Sequence, residues 1–158
     1  MQPHVVGIYT ASERGALLHA VEEARLEAGR GLVGDRYYLG EGTFSERLQG
    51  THDAELTLIE HEEIAQFNEP EDSPRGAGEF RRNIVTKGVR LNDLVGRRFT
   101  IGGVELEGLR LCEPCNYLAS LIGQDVLERM VHRAGLRARI VAGGTIRAGD
   151  AITVSATV

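Results

Sequence analysis

Both cysteines of the chain, Cys112 and Cys115, lie in one stretch, Arg110-Leu-Cys-Glu-Pro-Cys-Asn-Tyr-Leu118. The run before it, Val104-Glu-Leu-Glu-Gly-Leu-Arg-Leu111, predicts a strand, and the residues from near Asn116 predict a helix. A thiol at a strand-to-helix corner lies beside free backbone N–H groups and the positive end of the helix dipole. Both favour thiolate over thiol, which makes Cys115 the candidate reactive sulfur. Two features weigh against it. Glu113 is a neighbouring negative charge that would raise a cysteine pKa if it pointed inward. Free cysteine is also among the most buried residue types, so an inert packed thiol is the competing reading.

Two further constellations carry charge. Arg81, Arg82 and Asn83 fall in Phe80-Arg-Arg-Asn-Ile-Val-Thr86, which predicts a strand. Successive strand residues face opposite sides, so one guanidinium would reach a pocket and the other solvent. A guanidinium can hold a phosphate or carboxylate with two parallel hydrogen bonds, but an ordinary surface ion pair explains the segment equally well. Asp35 and Arg36 close the run Gly29-Arg-Gly-Leu-Val-Gly-Asp-Arg36, whose glycines permit positive φ and present the pair on a tight turn. That pair is either a self-satisfied turn or an ion pair beneath a site.

Other chemistries find less support. Cys112-Glu-Pro-Cys115 has the thioredoxin spacing, but Pro3, Pro70, Pro74 and Pro114 all lie within or before the motif, and that fold needs a partner proline after it. A structural zinc site needs about four ligands. His4, His19, His52, His61 and His132 show no paired spacing, and Ala65 stands where a zincin helix carries its second histidine. No Walker loop, dinucleotide fingerprint or Ser/His/Asp arrangement is present.

The surrounding elements read as short strands joined by turns. Val5 to Ala11, Glu55 to Ile59, Leu136 to Val141 and Ala151 to Val154 predict strands, and Arg98–Ile101 with Val104–Leu106 predicts a hairpin across Gly102-Gly103. Ala20 to Gly29 is compatible with a helix or an irregular strand. Glu60 to Phe67 predicts a helix, Leu91 to Gly96 a helical turn, and Leu118 to Val131 helical spacing broken near Gly123. Tyr37 to Thr51, polar and glycine-rich, predicts a loop that covers a site, and Asn68 to Gly78 predicts a second loop. Strands and helices do not alternate regularly, which argues against a doubly wound parallel sheet. The expected fold is mainly β (α+β): a partly closed β-barrel with a few short helices, in one domain spanning 1–158.

Composition bounds the setting. A formal net charge of −5 argues against sequence-independent nucleic-acid binding. No apolar run approaches the ~18 residues of a membrane span. The N-terminus lacks the charged start and apolar middle of a signal peptide. Two cysteines three apart are not a disulfide framework, so a reducing, cytoplasmic setting is expected.

Taken in order, Gly-Leu-Val-Gly-Asp-Arg36, Leu-Thr-Leu-Ile-Glu60, Arg-Arg-Asn-Ile-Val85, Leu-Val-Gly-Arg-Arg-Phe-Thr-Ile-Gly102, Glu-Pro-Cys115 and Gly-Gly-Thr-Ile-Arg-Ala-Gly-Asp150 resemble the MOSC domain, named for the C-terminal domain of molybdenum cofactor sulfurases. The resemblance runs from about Val5 to Val154 and is to a stand-alone bacterial-type member. It implies a barrel-like β fold and a role in sulfur carriage or with the molybdenum cofactor (molybdopterin). It also implies that Cys115 is the sulfur acceptor or the metal thiolate. Arg81, Arg82 and Asn83 then lie near an anionic ligand, and Asp35 and Arg36 match the Gly-Asp-Arg motif. Cys112 is not a regular part of the pattern; it either resolves a persulfide or packs. The segment before Leu-Thr-Leu-Ile departs from relatives, with His52-Asp-Ala-Glu55 where an arginine is common. Pyridoxal phosphate is associated with the family, but this chain has no lysine-bearing motif for it.

Two functions follow from the resemblance. One is a sulfur carrier or cofactor-binding module using Cys115, with a cysteine desulfurase and a molybdoenzyme as partners. The other is a molybdenum-cofactor-dependent reductase of N-hydroxylated compounds, working with electron-transfer proteins. Neither implies nucleic acid or membrane as a partner.

Overall fold

The computed structural model describes residues 2–69 and 74–155. Eleven strands and three short helices follow one another: β1 His4–Thr10, β2 His19–Val21, β3 Glu23–Glu27, β4 Gly31–Leu32, β5 Leu56–Glu60, α1 His61–Asn68, β6 Ile84–Lys87, β7 Arg98–Ile101, β8 Val104–Leu111, α2 Asn116–Ile122, α3 Val126–Arg129, β9 Leu136–Ala142, β10 Gly144–Arg147 and β11 Ile152–Val154. Eight strands form one sheet in the order β11-β7-β8-β9-β5-β6-β1-β2, and β10-β3-β4 form a second. Neighbours are antiparallel except β5 and β6, which run parallel with α1 in their connection. The mainly β architecture with short helices is therefore as expected.

The barrel is not. The ladders form open sheets, and the ends of the large sheet meet among the described residues at one bridge, His4 to Ala151. Val5 N–H donates to the Asp150 carbonyl at 2.9 Å and Gly149 N–H to the Val5 carbonyl at 2.8 Å. The reason lies in β1. One edge is taken by β6, and the other is divided between β2, which pairs with Ile8 to Thr10, and the turn before β11. No length of β1 remains for a continuous ladder that would close the sheet.

Alternation puts Leu136, Ala138 and Ile140 of β9 in the core, with Leu58, Phe99 and Leu106, and turns Arg137 and Arg139 to the other face. A second apolar cluster gathers the helices against the sheet: Ile59, Phe67, Phe80, Leu118, Ile122 and Met130. Gly135 opens β9 with φ +123, and a Cβ there would run into the Leu58 carbonyl of β5. The Gly135 carbonyl accepts Cys112 N–H at 2.8 Å, so this close approach helps to set the cysteine stretch.

Three local expectations change. The segment at Arg81 and Arg82 is not a strand. Ala77–Phe80 is a 3-10 turn, Arg81 is left-handed at φ 63, and β6 begins only at Ile84. The ambiguous run after Ala20 is extended, as β2 and β3. After Gly143 the chain forms β10, a strand not read from the sequence, which pairs with β3. Of the loop expected over Asn68 to Gly78, residues 70–73 lie outside the described residues. Among the described residues, no helix is long and apolar enough to cross a membrane.

Candidate functional site

The sequence places Cys115 between β8 and α2, and the structure puts it at the cap of the helix. It has extended backbone, φ −132 and ψ 170, and its Sγ accepts Leu118 N–H at 3.5 Å. Cys115 is half-buried and Cys112 is buried; both are free thiols. Glu113 does not oppose them. Its carboxylate accepts His132 N–H at 2.7 Å and contacts His132 Nδ1 at 2.6 Å.

Cys115 and Cys112 line a cavity of about 40 Å³ with Arg36, Arg81, Arg82 and Arg137. Tyr37, Thr43 and Phe44 form another part of its wall, so the polar segment after Arg36 does cover the thiol. Among the described residues no carboxylate lines the cavity.

The two adjacent arginines do different things, though both are buried. Arg82 is saturated by backbone. Its Nε donates to the Ala134 carbonyl at 2.9 Å, Nη1 to Phe80 at 3.2 Å, and Nη2 to Cys112 at 3.1 Å and Glu113 at 3.3 Å. It is a positioning residue that fixes the corner from which Cys115 projects. Arg81 donates from Nη1 to the Ala16 carbonyl at 2.8 Å and lies 5.6 Å from the Tyr117 ring centroid. Among the described residues its Nη2 is buried without a hydrogen-bond partner, as is Nε of Arg36. Burial first, and then the Arg36 charge, push the Arg81 guanidinium below its ordinary pKa.

Asp35 and Asn83 stand behind the cavity rather than on its wall. Asp35 accepts from Thr10 Oγ1 at 3.0 Å, Ala11 N–H at 3.3 Å, Arg36 Nη1 at 3.1 Å and Tyr37 N–H at 3.3 Å. It forms a buried ion pair with Arg36 and also closes its own turn through Tyr37 N–H. Asn83 latches two strands, β5 and β1: its Oδ1 accepts from Thr57 N–H and Oγ1, both at 3.3 Å, and its Nδ2 donates to the Tyr9 carbonyl at 3.2 Å.

Sequence reasoning missed Arg137 and Tyr117. Arg137 sits directly opposite Thr57 in the β5–β9 ladder, and both line the cavity. A cationic side chain therefore reaches the cavity from across the sheet, although His52-Asp-Ala-Glu55 supplies no arginine ahead of β5. The available signal was the alternation Leu-Arg-Ala-Arg-Ile in β9, which puts Arg137 on the face away from the core.

The fold is shared with solved structures. YuaD from Bacillus subtilis aligns with a TM-score of 0.80 at 17% identity, covering 98% of this chain and 96% of that one. YiiM from Geobacillus stearothermophilus aligns at 0.75 with 16% identity over 97% of this chain and 75% of that one. YiiM from Escherichia coli gives 0.71 and 22% over 100% and 71%. No curated protein sequence matches the chain. A family model of the MOSC domain matches residues 45–153, from the covering segment through the arginine pair and the cysteine corner to β11. The match spans more than half of the sequence, and the chain belongs to the MOSC domain family.

Proposed function

We propose that the chain is a sulfur carrier in which Cys115 accepts a sulfur atom as a persulfide and hands it to a molybdenum-cofactor enzyme. The family association with the molybdenum cofactor sets the context. The observation that carries the reading is the half-buried Cys115 thiol in a cavity lined by four arginines and no carboxylate. In loading, the Cys115 thiolate attacks the outer sulfur of a donor persulfide on a cysteine desulfurase. The donor S–S bond breaks, the donor thiolate leaves with the electron pair, and a new S–S bond forms at Cys115. The persulfide remains anionic, and the guanidiniums around it lower the energy of that charge. The carrier unit is the whole of 1–158 acting as one domain in a reducing compartment, where a persulfide is not lost to oxidation.

A bound molybdopterin suits the chemistry of these residues but not their space. Cys115 would offer a thiolate to the metal, and the arginines would face its phosphate. Among the described residues no three His, Cys, Asp or Glu side chains group around a metal position, so a metal here would bring its other ligands with it. The cavity of about 40 Å³ holds about three waters. Sites for molecules of pterin size run to ~300 Å³ or more. The reductase reading therefore requires the covering segment to open wide enough to admit a pterin.

Native mass spectrometry of protein purified without oxygen, from a host that makes the cofactor, separates the two. The expected result is one added sulfur atom that cyanide removes and that Cys115→Ser lacks. Serine is a good helix cap, so this variant keeps the fold. A larger adduct containing molybdenum and pterin would instead favour cofactor binding, with turnover of an N-hydroxylated compound as the check on the reductase reading. A bare chain that also fails to load from a desulfurase would end the carrier reading.

A further inference from the structure

The arginine cavity holds more positive charge than the protein itself neutralises. Of its four lining guanidiniums, Arg36 alone has an acidic partner among the described residues, Asp35. Arg82 is satisfied by backbone carbonyls, and Arg137 Nη1 donates to the Asp53 carbonyl at 2.8 Å. These bonds supply dipoles but no countercharge. Arg36 and Arg81 are 4% and 8% exposed, and each keeps one buried nitrogen with no hydrogen-bond partner among the described residues. A buried guanidinium with an unmade hydrogen bond is costly, and two side by side repel. An anion in the cavity would supply countercharge to both guanidiniums.

Size and chemistry narrow the anion. Room for about three waters admits a tetrahedral oxyanion of a few heavy atoms and little more. One wall is the Cys115 thiol, so an anion bearing a transferable sulfur would meet a nucleophile on binding.

Resting on the carrier reading above, we infer that this cavity takes a small sulfane-sulfur oxyanion of the thiosulfate class, and that this anion is a direct sulfur donor to Cys115. The Cys115 thiolate attacks the outer, sulfane sulfur. A sulfur–sulfur bond forms at Cys115 while the sulfane–sulfonate bond breaks, and sulfite leaves with the electron pair of that bond. One thiolate and thiosulfate become one persulfide anion and sulfite, so charge and atoms balance with no added oxidant or reductant. Arg81 and Arg36 hold the sulfonate oxygens, where negative charge accumulates as sulfite departs. Sulfate fits the same cavity but carries no sulfane sulfur, so it binds without reacting.

The test uses the full chain, stripped of sulfur with cyanide and kept free of oxygen. Thiosulfate is added, sulfite release is followed, and the mass at Cys115 is read. One sulfur per chain with matching sulfite, saturation in thiosulfate and competition by sulfate are expected. Arg81→Gln should lower the second-order rate constant for loading by about tenfold or more, chiefly through a higher half-saturating thiosulfate concentration, and Arg81→Lys should restore part of it. Because Arg81 also closes a turn, Arg137→Gln is a second variant, with the same direction expected. Loading that ignores sulfate and both glutamine variants would overturn the oxyanion site. Failure to load from thiosulfate, with loading from polysulfide intact, would overturn this inference and leave the carrier standing. Failure with thiosulfate, polysulfide and a desulfurase alike would overturn both.

Discussion

The cysteine cavity and the groove beside α1 and α3 are opposites. The groove is much the larger, about 1370 Å³ against about 40 Å³, and is lined by both signs of charge, including Glu60, Glu63, Glu128, Arg90 and Arg133. There the charges answer one another. Glu63 lies 3.9 Å from Arg90 and 3.7 Å from Arg133, and Arg129 pairs with Asp125 at 3.0 Å while lying over the Phe67 ring. The cavity has a thiol, four arginines and unmade hydrogen bonds. Volume favours the groove as a binding site, but chemistry favours the cavity. A mixed, open surface is already neutralised by its own residues and by water, whereas a small basic one has charge left over for a ligand.

The largest expected contrast is in stability. Arg82→Gln strips donors from carbonyls at Phe80, Cys112, Glu113 and Ala134, all around the cysteine corner. Bonds to a charged donor are worth ~1.5–3 kcal/mol, and several are lost together, so a destabilisation of about 3 kcal/mol or more is expected. Arg133→Gln in the groove removes a half-exposed ion pair with Glu63 and should cost within about 0.5 kcal/mol. Urea midpoints of the two variants measure the difference. Equal midpoints would mean that Arg82 is no anchor and that the two regions hold their arginines alike.

Arg82 also marks where the sequence stops being readable. The cysteine corner was legible because its signals are local: alternation in β8, Pro114, and helical spacing after Asn116. The Gly102-Gly103 hairpin was legible for the same reason. The arginine pair was not, because the strand pattern of Phe80 to Thr86 is overridden at its start. Arg81 N–H closes the 3-10 turn on the Gly78 carbonyl, and Asn83 spends its side chain on β1 and β5. With the strand assignment goes the expectation of opposite faces, and both guanidiniums turn inward. Arg137 was hidden differently. Its alternation was plain, but its place beside Thr57 depends on a register between strands 80 residues apart in the chain (57 against 137). Barrel closure failed on a similar long-range fact, the division of one β1 edge between two partners.

A smaller effect separates the regions by salt. Sulfate at about ten times its dissociation constant should stabilise the wild type by about 1.4 kcal/mol, a rise in Tm of roughly 3 °C. Sulfate also stabilises proteins generally by exclusion from their surfaces, so the informative quantity is the difference between variants. Arg81→Gln should lose the specific part, and Glu63→Gln in the groove should keep it. If both variants responded as the wild type does, the unpartnered nitrogens of Arg36 and Arg81 would not be an anion site.

The smallest effect is in the groove and tests whether it is as well solvated as its size suggests. Glu60 is buried apart from its bond from Leu91 N–H at 3.0 Å. Burial is the main cause that raises its pKa, with the charge of Glu63 adding to it and the Leu91 bond opposing it. A raised folded-state pKa means that the folded chain binds the extra proton between the ordinary glutamate value, about 4.3, and the raised one. The stability that this proton contributes is complete below that window and is lost as pH climbs through it. Glu60→Gln keeps an acceptor for Leu91 and never ionises, so it should lack that decline. Urea midpoints from about pH 4 to about pH 8 should show the variant gaining on the wild type across the window and then holding a constant lead. A lead that never develops would mean that ionised Glu60 is fully served by water and Leu91. The groove would then be solvated even at a buried carboxylate, and its contrast with the desolvated arginine cavity would be sharper still.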